Sequence, residues 1–262
     1  MTTWILLRGL ARESRHWGVL PQQLRNRFRT ATVLGLDLPG NGRLNDRQSP
    51  TSVRAMMEAM RMEARTLGFA PPYHLLAMSL GAMVAIAWAT DNPQEVAGAV
   101  LINTSVGGMH PFYQRLKPDA LLRLLWIAMP GLSHAHRERA ILGLTSNGPA
   151  PAEPEFAERV RYREERPSAL ANVLRQLVAA VRFNVPRRPP FVPLLVLAGA
   201  RDRLVDPACS RRLAQAWRVE YAEHPRAGHD LALDDPQWVV HRVCDWISDT
   251  TLAPDRGEPA KR

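Results

Sequence analysis

Between residues 194 and 198 the chain reads Leu-Leu-Val-Leu-Ala, an apolar run with no polar alternation. Such a strand must be covered on both faces, which is the situation of an interior strand in a parallel sheet. Other short apolar runs recur, with helical patterns between them. Strands are predicted at 3–7, 31–38, 73–78, 98–103, 193–198 and 219–222, and helices at 16–29, 53–67, 80–90, 209–216 and 237–247. In the second helix, Val53, Met56, Met57, Met60, Ala64 and Leu67 follow the i, i+3, i+4, i+7 spacing of a single apolar face. That methionine stripe reads as core packing rather than a ligand box. The alternation predicts an α/β fold, a mostly parallel sheet of about six strands with helices on both faces.

Residues 104–190 break the alternation. They carry helical patterns at 120–129, 136–144, 154–166 and 168–182 and no convincing strand, and prolines bound them at Pro111, Pro186, Pro189 and Pro190. The expected organisation is an α/β core over 1–103 and 191–248, with 104–190 inserted as a helical cap. The polar stretch 249–262, which bears Pro and Gly, reads as a disordered tail. With 262 residues, 46% of them hydrophobic, the chain can bury a substantial core, which excludes disorder throughout.

The formal net charge is +9, and Lys117 and Lys261 are the only lysines. The arginines are scattered and build no recognisable nucleic-acid motif, so no nucleic-acid partner is expected. One local excess stands out: residues 112–190 hold 13 basic and 7 acidic side chains, a net of +6. Such a surface could steer an acidic acyl carrier, or the phosphates of coenzyme A. No apolar run approaches the roughly 20 residues of a membrane span; the stretch 121–132 is interrupted by Arg123 and Pro130. Met1 leads directly into the first apolar run with no basic leader, and Cys209 and Cys244 suggest reduced thiols, so a cytoplasmic location is expected. His134 and His136 have no third ligand at a metal-binding spacing, and Gly40-Asn41-Gly42 lacks the third glycine of a dinucleotide loop. Neither metal nor cofactor is expected.

Three polar residues follow predicted strands, where open α/β sheets bind their ligands. Ser79 stands between a strand and a helix, flanked by small Ala77 and Gly81; it could cap the helix or serve as an exposed nucleophile. Asp202, after the 193–198 strand, could be a turn residue or a surface partner of Arg201 or Arg203. His229, in Gly228-His229-Asp230, could equally be a turn histidine. Together they have the chain order Ser, Asp, His of one triad arrangement. A serine hydroxyl needs an imidazole to take its proton, and the imidazole needs a carboxylate to orient it. The N–H of Leu80 and the N–H of Leu10, in the turn after the first strand, are the candidate oxyanion donors.

On these residues the chain resembles the α/β-hydrolase superfamily. Arg8-Gly9 leading to Trp17, Asp37-Leu38-Pro39-Gly40-Asn41-Gly42, the Ser79 corner, the run from Gly199 to Asp202, and Gly228-His229 occur in the family's order. The resemblance implies a Ser79/Asp202/His229 triad, an oxyanion hole from Leu10 and Leu80, and a cap over the pocket. Ala77 replaces the usual first glycine of the elbow, and Arg8 stands where the family usually has histidine. A buried Arg8 requires an anion: either an acidic substrate group or a nearby acid such as Glu13 or Asp37. The expected activity is serine hydrolysis of an ester or thioester through an acyl-enzyme, with Trp126 and the leucines of the cap lining an apolar acyl pocket. A thioesterase docking a carrier through the basic cap, or a non-catalytic binding protein on the same fold, are the alternatives.

Overall fold

The computed structural model describes residues 2–185 and 188–252. In chain order the elements are β1 (Thr3–Leu7), α1 (Leu20–Arg27), β2 (Thr32–Leu36), α2 (Val53–Thr66), β3 (Tyr73–Met78), α3 (Leu80–Asp91) and β4 (Val96–Ile102). Five helices follow: α4 (Phe112–Arg115), α5 (Pro118–Ala128), α6 (His134–Thr145), α7 (Glu153–Glu165) and α8 (Leu170–Arg182). The chain then returns through β5 (Leu194–Gly199), α9 (Ala208–Trp217), β6 (Glu220–His224), α10 (Leu231–Asp234) and α11 (Pro236–Leu252).

The six strands form one sheet in the order β2-β1-β3-β4-β5-β6, and every pairing is parallel. Successive residues of a strand face opposite sides, and here both sides are covered. Ile5, Leu75, Leu101 and Val196 pack in one core with α2, α3 and α9, whereas Leu6, Leu76, Val100 and Leu195 pack in the other with α1 and α11. Burying each of these side chains contributes roughly 1.5–3 kcal/mol. From β1 the chain crosses to β2 on one side and later to β3 on the other. The order therefore reverses at β1/β3, and a crevice opens at the carboxyl ends of those two strands.

Two predicted helices have different bounds in the structure, and a third helix packs in a way that its pattern alone does not specify. The helix predicted at 16–29 is a 3-10 turn at Ser14–Trp17 followed by α1; Gly18, at φ 56°, breaks it, and Pro21 restarts it. The last helix does not end before residue 249 but runs to Leu252, because Asp249, Thr250 and Thr251 contain no helix breaker. The remainder of the tail, 253–262, lies outside the described residues. Finally, α8 packs the opposite way from an ordinary amphipathic helix. Its buried side carries Asn172, Gln176 and Ala179, while Leu170, Leu174, Val178 and Val181 are exposed. The buried amides bind the backbone of the core: Asn172 accepts from Ser49 N at 2.9 Å, and Gln176 accepts from Ala11 N at 3.1 Å and donates to Pro39 O at 3.2 Å. These bonds satisfy backbone groups that would otherwise be buried unpaired. Among the described residues no helix is long and apolar enough to cross a membrane.

Candidate active site

Ser79 is the corner between β3 and α3. Its backbone is at φ 56°, ψ −119°, a strained conformation for a residue with a side chain and one of order 1–3 kcal/mol in cost. The corner is held from several directions. Ser79 N donates to Ile102 O at 2.9 Å, and Ser79 O accepts from Ala82 N at 3.0 Å and from the Thr104 hydroxyl at 3.3 Å. Gly81 makes the sharp turn possible: a Cβ there would lie 2.3 Å from Leu7 O and 2.6 Å from Arg8 O. Its absence lets the start of α3 press against the end of β1. The turn after β1 therefore reaches the serine, since a Cβ on Gly9 would lie 3.5 Å from Ser79 Oγ. Leu10 lies in that turn, which Arg12 N closes onto Gly9 O at 3.3 Å, and Leu80 is the first residue of α3.

Asp202 and His229 are side by side, although β6 and α9 separate them in sequence. His229 Nδ1 lies 2.7 Å from Asp202 Oδ2 in a pair that is almost fully buried. The other carboxylate oxygen, Asp202 Oδ1, accepts from Leu204 N at 2.7 Å and Val205 N at 2.9 Å. A carboxylate only accepts, so the hydrogen of the ring is on Nδ1 and the lone pair is on Nε2. Gly199 allows the approach of the two loops, because a Cβ there would lie 2.3 Å from Gly228 O.

Asn103 directly follows β4 and is not among the sequence-predicted site residues. It adopts φ 48° and is buried, and it joins three loops. Its Nδ2 donates to Gly228 O at 3.1 Å and His229 O at 2.7 Å, and its Oδ1 accepts from Gly199 N at 2.8 Å. Asparagine suits this place because it tolerates left-handed backbone and offers both donors and an acceptor. The same features, on an Asn directly after an apolar strand, were the available signal. Asn103→Leu leaves three buried groups unpaired and is expected to cost about 2–4 kcal/mol of stability, measured by urea unfolding.

Arg8 is buried and takes neither partner suggested by the sequence. Its Nη1 and Nη2 form a bidentate pair with Asp230 at 3.1 and 2.7 Å, and its guanidinium lies 4.8 Å from the centre of the Trp17 ring. Asp37 is engaged elsewhere, accepting from Ser14 N at 2.6 Å and Arg43 N at 2.9 Å, and Glu13 pairs with Arg15. Asp230 also donates its N–H to Thr145 O, at the end of α6, at 2.7 Å. Burial alone would raise the Asp230 pKa, but Arg8, with Arg159 and Arg12, holds it below the ordinary value. Of the two alternatives for Arg8, the structure shows an ion pair with a protein acid, and that acid is Asp230, next to His229. Trp126 also departs from expectation: it is 49% exposed on α5, near exposed Leu122 and Leu125 in sequence, and does not stand as a buried pocket wall.

A parallel six-stranded sheet, a strained serine corner and a buried His–Asp pair at its carboxyl edge are the architecture of the α/β-hydrolase fold. Sequence comparison agrees: the profile of the alpha/beta hydrolase family matches residues 4–242, and the chain belongs to that family. It is 29% identical over 241 residues to the pimeloyl-[acyl-carrier protein] methyl ester esterase of Methylococcus capsulatus, covering 84% of this chain and 89% of that protein. RutD of Klebsiella pneumoniae (strain 342), provisionally named a carbamate hydrolase, is 26% identical over 185 residues, covering 67% of this chain; the match spans 66% of RutD's own length, just under two thirds. Among solved structures, the enol-lactonase from Burkholderia xenovorans LB400 superposes with a TM-score of 0.75 at 20% identity, covering 94% of this chain and 91% of that one. At that identity the likeness speaks to the fold.

Proposed function

We propose that the protein is a serine hydrolase that cleaves a carboxylic ester or thioester through an acyl-enzyme intermediate. The observation that carries this reading is the 2.7 Å contact between His229 Nδ1 and Asp202, at the sheet edge where Ser79 occupies its left-handed corner. In the proposed cycle His229 Nε2 takes the Ser79 proton as Oγ adds to the carbonyl carbon. The N–H groups of Leu10 and Leu80 stabilise the resulting oxyanion. His229 then passes its proton to the leaving alcohol or thiol, and the acyl group stays on Ser79. A water, deprotonated by the same imidazole, releases the acid and restores the serine. Asp202 remains ionised throughout and stabilises the imidazolium.

The test is covalent labelling. A fluorophosphonate probe is expected to modify the wild-type protein at one residue, and Ser79→Ala to abolish the modification in the intact-mass spectrum. An unlabelled wild-type protein would support a binding role on the same fold. The esterase from Methylococcus carries an acyl carrier in its name, which speaks for an acidic carrier as partner here. Against it, much of the cap's positive charge is spent internally. Arg115 donates to Val181 O and Ala180 O, Arg137 to Leu132 O, Ile127 O and Met129 O, and Arg159 and Arg163 are drawn to Glu138. We therefore put a small-molecule ester or thioester first.

A further inference from the structure

The seam between the turn after β1 and helices α6 and α7 encloses an excess of positive charge. Arg12 directs Nη1 at both oxygens of Glu138, at 3.0 and 2.8 Å. Arg163 Nη2 reaches the same carboxylate at 3.4 Å and Arg159 Nη1 at 3.8 Å. Glu138 is wholly buried; burial would raise its pKa, but Arg12, Arg163 and Arg159 hold it below the ordinary value. The Arg8–Asp230 pair adjoins this group, for Arg12 and Arg159 both act on Asp230. Arg8, Arg12, Arg159 and Arg163 thus face two buried carboxylates, Glu138 and Asp230. A further acid, Glu155, lies 3.6 Å from Arg159 Nε but is half exposed. His16 adds no compensation, since burial first, and then Arg12 and Arg8, keep its pKa far below the usual range and its ring neutral.

Hydrogen bonding is unbalanced in the same sense. Arg12 Nη2, Arg159 Nη1, Arg163 Nε and Arg8 Nε are buried with no hydrogen-bond partner among the described residues. Buried donors are normally paired, and enclosed charge calls for a counter-charge. A cleft whose lining includes Ala11, Glu13, His16, Tyr162, Arg163 and Arg166 reaches the cluster at Arg163, with about 20 Å³ free, room for a water-sized group. That space suits a carboxylate oxygen better than a tetrahedral phosphate. Glu13 also lines this cleft, its Oε2 buried without a hydrogen-bond partner, and Arg15 and Arg166 supply its counter-charge. Arg12 is two residues beyond Leu10, and Arg8 pairs with the residue after His229, so the cluster flanks the reaction centre.

We infer that Arg12, Arg159 and Arg163 form a carboxylate subsite, and that the substrates hydrolysed at Ser79 are esters or thioesters whose acyl chain ends in a free carboxylate. This rests on the proposed serine-hydrolase reading. The test compares kcat/KM for mono(4-nitrophenyl) glutarate with that for its neutral methyl-capped counterpart. The wild type is expected to favour the free acid at least tenfold, and Arg163→Gln to reduce that ratio at least fivefold. Arg163→Lys, which keeps the charge, should retain more of the preference than the glutamine variant. A wild-type ratio near one, or a ratio unchanged in both Arg163→Gln and Arg159→Gln, overturns the subsite. Titration calorimetry of glutarate into Ser79→Ala protein needs no turnover, and saturable binding weakened at least tenfold by Arg163→Gln is expected. Absence of binding at millimolar glutarate, or binding that does not compete with the neutral ester, also overturns it. Loss of fluorophosphonate labelling with glutarate binding intact would instead remove the Ser79 reading and leave the carboxylate site.

Discussion

Ser79→Ala is expected to lower kcat by about 10⁶-fold, His229→Ala by a similar factor, and the double variant by little more. In the proposed triad Ser79, His229 and Asp202 act as one device. Without the hydroxyl the imidazole has no nucleophile to activate, and without the imidazole the hydroxyl keeps its proton. Once one is gone, the second substitution therefore removes almost nothing. What remains is the contribution of the oxyanion donors and of substrate binding, about 10³–10⁴ over water. Steady-state rates on 4-nitrophenyl butyrate, with active-site titration to exclude contaminating wild-type enzyme, measure all three variants. A loss below tenfold for either single variant would mean that the reaction runs through another residue. Losses that multiply in the double variant would show two groups working independently, contrary to the proposed proton transfer.

The sheet was legible in the sequence because parallel strands covered on both faces have no polar alternation, and Leu194 to Ala198 could hardly be anything else. Ser79 could be singled out because it directly follows such a run, whereas Asp202 and His229 stand a few residues beyond predicted strand ends, on the side of the sheet where ligands bind. The direction in which α8 packs was not legible. Apolar residues at helical spacing show that a stripe exists; they do not show which stripe meets the core. Here Asn172 and Gln176 prevail because Ser49 N, Ala11 N and Pro39 O need partners, and leucine could supply none. The same limit applies to Trp126, whose apolar character did not reveal that it is half exposed on α5.

Charge pairing was less legible still. The sequence demanded an anion for Arg8 and offered the nearby acids Glu13 and Asp37, whereas the partner is 222 positions away. The available signal was indirect: Asp230 directly follows a histidine expected at the sheet edge, a place too enclosed for a carboxylate without a cation. Similarly, the +6 of residues 112–190 read as a surface property. Arg159, which is buried, and Arg163, which is largely covered, turn part of it inward beside Glu138, towards the turn after β1.

Breaking the Arg8–Asp230 pair from either side is expected to cost about 3–5 kcal/mol, because each single substitution leaves an uncompensated charge in the interior. With domain stabilities commonly of about 5–15 kcal/mol, Asp230→Asn alone would remove a fifth or more of the total. The double variant Arg8→Met/Asp230→Leu takes away both charges and should lose much less than the sum of Arg8→Met and Asp230→Leu measured separately. Urea unfolding of the wild type and these variants gives the coupling directly, and additive losses would mean that the two groups do not interact. The pH dependence has a definite sign. The folded-state pKa of Asp230 is held below its ordinary value of 3.8, so the pair's contribution is fully present above that pH and is lost as pH falls through the folded-state value. Wild-type stability should therefore decline on acidification below about pH 4 more steeply than that of the double variant, which has no charge to lose at this site. Because Asp230 follows His229, the pair also anchors the histidine loop to the turn after β1. A double variant that keeps its stability but turns over substrate more slowly would separate that anchoring role from the pair's contribution to folding.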